Sequence, residues 1–98
     1  MPITSTLEFT VRPDRLEGAE QFLADMLVAT RAFDGCTGID VLRDITDPAH
    51  FVLVEGWQSA AHDDAYRAWR ATPEGRSGLA DLVAGPPIVT RLETVATL

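Results

Sequence analysis

HFVLVEGWQSAAHDDAYRAW, residues 50–69, changes its period halfway along. Residues 50–57 are rich in apolar and β-branched side chains, the signature of a strand. Phe51, Val52, Leu53 and Val54 are apolar on both faces, so this strand is expected to be central and covered on both sides. It ends at Trp57. Ser59 is then a good helix N-cap, and Asp63 and Asp64 suit the positive end of a helix dipole. The helix is expected to run to about Ala71. It carries His62, Tyr66 and Trp69 at i, i+4 and i+7, one helical face that also holds Ala65 and should look toward the sheet.

Upstream of the quoted stretch, residues 3–11 alternate. Ile3, Leu7, Phe9 and Val11 share one side, and Thr4, Thr6, Glu8 and Thr10 the other, which predicts a strand. Arg12-Pro13-Asp14 breaks it. From about residue 14 to 33 the apolar residues recur at three and four, through Leu16, Ala19, Leu23, Met26, Leu27 and Phe33, as in an amphipathic helix. Asp34-Gly35 closes that helix. Residues 38–45 read as a second strand, and 46–49, Thr-Asp-Pro-Ala, as the turn of an antiparallel hairpin into the third.

Downstream, a short helix is expected over roughly 74–83, stopped by Gly85-Pro86-Pro87, and a last strand over 88–96. The order β-α-β-β-α-β is the ferredoxin-like arrangement: an α+β fold with a four-stranded antiparallel sheet, in a single domain spanning residues 1–98. Two helices cover one sheet face only. The strands are apolar on both, so the second face calls for a partner, and a symmetric homodimer supplies one.

The chain has 98 residues, 46% of them hydrophobic and 23% charged, as in ordinary globular domains. Its net charge of −7 argues against nucleic acid, whose phosphates need Lys and Arg. No apolar run approaches a membrane span, and the first residues lack the pattern of a signal peptide. Cys36 is the lone cysteine, so no internal disulfide can form, and a cytoplasmic location is expected. His50 and His62 are twelve apart with no other ligand at metal spacing, so no metal is expected. Arg43 and Arg91 fall within strands, with Glu55 and Glu93 as plausible partners in a buried ion-pair set.

The face bearing His62, Tyr66 and Trp69 suggests a pocket between helix and sheet, walled by Trp57, Trp69 and Phe51 and carrying an imidazole and a phenol. An apolar cavity with few polar groups suits a flat aromatic ligand. The alternative is that the rings are core and His62 a first-turn surface residue.

These residues together resemble the antibiotic biosynthesis monooxygenase family. The likeness spans nearly the whole chain, through Gly35-Cys36-Thr37-Gly38, the E-x-W-x-S element Glu55, Trp57 and Ser59, and the final strand. It implies a dimeric α+β barrel and a cofactor-independent monooxygenase that uses molecular oxygen on a small aromatic, quinol-like or polyketide anthrone-like, substrate. Family members often carry a histidine nine residues after the tryptophan. Here Tyr66 stands there, and His62 lies five after Trp57. On that reading His62, Tyr66 and Trp57 form the catalytic set: His62 is the better base and Tyr66 the better hydrogen-bond donor. Trp69, Phe51 and Arg70 would bind substrate. Relatives of the same fold degrade haem, for which His62 would be the axial candidate. Two non-catalytic readings stand beside the enzyme: a homodimeric domain that binds a small hydrophobic ligand, and a structural homodimer with filled cavities.

Overall fold

A computed structural model describes residues 1–98. It contains β1 (Ile3–Thr10), a 3-10 turn (Pro13–Arg15), α1 (Ala19–Ala32), β2 (Cys36–Asp44), β3 (Asp47–Trp57), α2 (Ala60–Arg70), α3 (Leu79–Leu82) and β4 (Ile88–Glu93). The four strands form one antiparallel sheet in the order β2-β3-β1-β4. That is the ferredoxin-like α+β topology read from the sequence.

Several boundaries move for local reasons. The first helix begins at Ala19 rather than near 14, because Gly18 takes a left-handed conformation (φ 85°) after the proline-initiated 3-10 turn. Leu16 therefore falls outside the helical stripe and is exposed. The hairpin turn lies at 45–46, not 46–49. Asp44 Oδ1 accepts from Thr46 N (2.8 Å) and Thr46 Oγ1 (2.7 Å), which fixes the reversal early and lets β3 start at Asp47. The expected 74–83 helix shrinks to Leu79–Leu82, preceded by Gly78 in a left-handed conformation. The last strand stops at Glu93, where its pairing to β1 ends opposite Ile3.

Period-two alternation sorts the sheet into two faces. Leu7 pairs with Leu53, and Phe9 with Phe51. Under them pack Ala19, Leu23 and Leu27 of α1, and Leu82 and Val83. Each fully buried leucine here contributes about 1.5–3 kcal/mol. The opposite face carries Leu42, Val52, Val54, Ile88 and Leu92, and within the single chain no helix covers it; Leu42, Ile88 and Leu92 are exposed. No helix is long and apolar enough to cross a membrane.

Candidate active site

Glu55 and Trp57 are two apart on β3, so both project to the helical side of the sheet. Both are buried. Two residues later Ser59 caps α2: its Oγ accepts from the backbone N of His62 (3.2 Å) and lies 2.7 Å from His62 Nδ1. The E-x-W-x-S element thus joins the inner sheet face to the first turn of α2.

The inward face of α2 is Asp63 and Tyr66, flanked by the half-buried Arg67 and Arg70; Ala65, expected inside, is exposed. Four rings meet beneath this helix. Phe33, the C-cap residue of α1, lies 6.3 Å from Trp57, 5.3 Å from Tyr66 and 5.5 Å from Trp69. Trp57 and Tyr66 are 4.9 Å apart, and Tyr66 and Trp69 6.3 Å. Trp57 is 0% and Tyr66 3% exposed. The hollow expected between Trp57, Trp69 and His62 is therefore occupied by aromatic side chains. Phe33, the last residue of the apolar stripe expected for the first helix, completes the packing.

Two residues expected to bind substrate sit elsewhere or are engaged. Phe51 stacks on Phe9 (5.9 Å) in the α1 core, six residues and ~20 Å along the strand from Trp57. Arg70 is neither solvated nor free to meet a ligand at this point. Its Nε donates to Tyr66 Oη (2.8 Å), Nη2 to Thr30 Oγ1 (2.8 Å) and Met26 O (3.1 Å), and Nη1 to Gly75 O (3.1 Å). Its guanidinium also lies over the rings of Tyr66 and Trp69. Tyr66 Oη and Thr30 Oγ1 are 2.7 Å apart, so phenol, threonine and guanidinium close a three-membered network.

His62 stands at the lip of the ring cluster. Its ring rests against Gly35, whose left-handed backbone (φ 89°) leaves no room for a Cβ there. With Nδ1 on Ser59, Nε2 is the nitrogen left to react, 3.7 Å from Asp34 Oδ2. The side chain is 31% exposed. Among the three residues expected to be catalytic, it alone offers a polar atom near the surface.

Beside the rings lies a charged cluster. Asp63, fully buried, accepts from Ser5 Oγ (2.9 Å) and Arg67 Nε (3.0 Å) and pairs with Arg91 Nε (2.8 Å). Arg67 also bonds Glu55, and Trp57 Nε1 approaches Glu55 Oε1 at 3.4 Å. Burial pushes the Glu55 carboxyl above its ordinary range, against the opposing pull of Arg67 and Trp57. The partners differ from those expected. Arg91 meets Asp63 and Asp64 rather than a glutamate, Glu55 meets Arg67, and Arg43 meets the exposed Glu20. The sequence reading assigns Asp63 a helix-dipole role only and passes over Arg67. The signal available was their i, i+4 spacing in phase with Tyr66. No group of three or more His, Cys, Asp or Glu side chains is arranged to hold a metal ion.

Residues 2–79 match the family model for antibiotic biosynthesis monooxygenases. A Mycobacterium tuberculosis protein named "Putative monooxygenase Rv0793" is 31% identical over 91 residues, 93% of this chain and 89% of its own. Its solved structure superposes with a TM-score of 0.79 at 27% identity, covering 99% of this chain and 98% of that one. A Deinococcus radiodurans structure described as a "putative antibiotic biosynthesis monooxygenase" shares the fold, with a TM-score of 0.80 at 22% identity over 98% and 95% of the two chains.

Proposed function

Because the chain belongs to the antibiotic biosynthesis monooxygenase family, we propose that it oxidises a small electron-rich aromatic with O2, without metal or flavin, as a homodimer. The substrate class is a quinol or an anthrone. The observation that carries this reading is His62. Its Nδ1 is held by Ser59 and its Nε2 left free at the edge of a cluster of aromatic rings.

The chemistry asks little of a protein. Ground-state O2 is a triplet and reacts slowly with closed-shell molecules. A deprotonated quinol or anthrone, however, transfers one electron to it. His62 Nε2 takes the acidic proton, and Asp34 opposite steadies the imidazolium that results. The substrate radical and superoxide left by that transfer combine to a peroxide, which takes the proton back from His62 and, as the hydroperoxide, loses water. An anthrone methylene becomes a carbonyl: one oxygen atom stays in the product, and the other leaves as water with the two methylene hydrogens. O2 takes up the four electrons that carbon gives up, so no other reductant is needed. Trp69 and Phe33, both half-buried, form the side of the cluster through which a planar ring gains entry beside His62. Tyr66 and Arg70, tied to each other and to Thr30, brace these rings from behind.

The dimer reading rests on the uncovered sheet face bearing Leu42, Val52, Val54, Ile88 and Leu92. Sedimentation equilibrium should give a dimer at micromolar concentration, and Leu92→Glu should dissociate it. A wild-type monomer at that concentration contradicts it.

Oxygen uptake with a panel of quinols and anthrones, run without added metal or flavin, tests the activity. Consumption above buffer is expected, and His62→Gln should lower it at least tenfold. Binding without consumption would overturn the enzyme in favour of a ligand-binding homodimer. The filled interior under α2 favours the structural homodimer over both ligand readings, and neither ligand binding nor consumption would leave that one.

A further inference from the structure

A groove of about 400 Å³ runs between α1 and the β2 edge of the sheet; neither His62 nor any ring of the cluster beneath α2 lines it, and it is independent of the oxidation proposed above. Its floor is the buried Leu23, Leu27 and Phe51. Val41, 40% exposed on the edge strand, forms one apolar wall, and Ala24 lies on the helical side. Charged groups stand at its rim: Arg43, Arg31 and Glu20.

The rim chemistry defines what fits. The Arg43 guanidinium lies over the Phe51 ring, 5.1 Å from its centroid. Glu20 engages Arg43 through one nitrogen only, and a guanidinium has five N–H donors. That pair is solvent-exposed, so a ligand carboxylate can join or replace Glu20 at little cost. The ion pairs of the molecule engage Arg12, Arg43, Arg67 and Arg91 and both histidines, but not Arg31. Two guanidinium groups against one carboxylate make a locally positive rim on a chain of net charge −7. Glu20 disfavours a second negative charge on the ligand. The volume suits a drug-sized molecule rather than a peptide segment.

We propose that this groove is a binding site for a small, flat aromatic monocarboxylate, with its ring system between the exposed Val41 and Ala24 and its carboxylate on Arg43 and Arg31.

Titration of the ¹⁵N-labelled protein with 2-naphthoate and with its neutral counterpart 2-naphthylmethanol tests this, read by amide chemical shifts. Naphthoate should move the amides of Glu20, Leu27, Val41 and Phe51. The alcohol should bind at least fivefold more weakly. The double variant Arg31→Gln/Arg43→Gln should lose that preference, and Val41→Trp, which fills the groove, should lose binding at these amides. Far-UV circular dichroism checks that both variants are folded. Three results overturn the proposal. The shifts could centre on the rings beneath α2 or on the open sheet face, or alcohol and acid could bind alike. The groove amides could also move on dilution of protein alone, which assigns the surface to a second copy of the chain.

Discussion

Arg70 Nε donates to Tyr66 Oη at 2.8 Å, so the one phenol in the chain is tied to a cation that also grips the carbonyls of Met26 and Gly75. This contact couples α2 to α1 and to the turn that follows α2. Tyr66→Phe leaves Arg70 and Thr30 each short of a partner and should cost about 1–3 kcal/mol. Thr30→Val should cost a similar amount. The double variant should cost less than the sum, because both singles break the 2.7 Å Tyr66–Thr30 bond. Urea denaturation measures all three, and strict additivity would show that the network does not act as a unit.

Asp63 and Asp64 are neighbours in sequence with opposite situations. Asp63 is fully buried among Ser5, Arg67 and Arg91, whereas Asp64 is 67% exposed and meets only Arg91. Removing one partner of a buried pair strands the other. Arg91 is 41% exposed, so water takes over much of its share, and Arg67 carries most of the loss. Asp63→Asn should therefore destabilise by about 3 kcal/mol, and Asp64→Asn by under about 0.5 kcal/mol. Equal urea midpoints for the two variants would refute the assignment.

The same pair of aspartates shows what could be read without coordinates. Element order, strand faces and the Ser59 cap follow from periodicity, because apolar residues in this chain mostly obey it. The phase of α2 follows only in part: Tyr66 faces inward as read, but the buried Asp63 and the half-buried Arg67 and Arg70 are charges that hydropathy assigns outward. Burial of those charges depends on partners from β1, β3 and β4 that lie far away in sequence. Phe33 is legible as the end of the apolar stripe of α1 but not as a wall of the ring cluster, because a helix C-cap gives no periodic sign of which ring it will touch. The expected cavity is filled for that reason: Phe33 adds a fourth ring to the space beneath α2. Glycines at 18 and 78 shortened two helices because a pattern of apolar residues does not report a left-handed backbone.

Gly35 sets the position of His62. Its φ of 89° already disfavours any side chain, and a Cβ would overlap the imidazole. Gly18 has nearly the same φ, 85°, with nothing near its absent Cβ. Gly18→Ala should cost about 1 kcal/mol, the conformational penalty alone. Gly35→Ala should cost about 1–2 kcal/mol more and displace the ring from Ser59. Combining it with His62→Ala should recover part of the excess but not all, since Cβ of residue 62 remains in the way. Thermal unfolding of the three variants checks this, and equal losses for the two glycine substitutions would remove the ring contact as a cause.

His50 is held from two sides on the open sheet face. Its Nε2 lies 2.6 Å from Glu8 Oε2 of β1, and its Nδ1 3.0 Å from Asp44 Oδ2 of β2. Two carboxylates facing two ring nitrogens favour the doubly protonated imidazolium. The hydrogen bond to Asp44 and then that to Glu8 raise the His50 pKa above 6.5. The bond from His50, with those from Thr46, brings Asp44 down to about 2 from 3.8. The two shifts act in opposite directions with pH. A raised histidine stabilises fully below its unfolded value, ~6.5, and that contribution is lost as pH climbs through the folded value. A depressed aspartate stabilises above its unfolded value and loses that contribution as pH falls toward 2. Glu55, raised by burial, adds its own loss of stability as pH rises above 4.5, but it lies on the other face of the sheet and stays intact when His50 is changed. The difference in urea midpoint between wild type and His50→Gln therefore isolates the clamp. That difference should be greatest between about pH 4 and 6.5, and shrink on either side. A gap that stays constant from pH 3 to 9 would mean that the imidazole contributes through packing and not through charge.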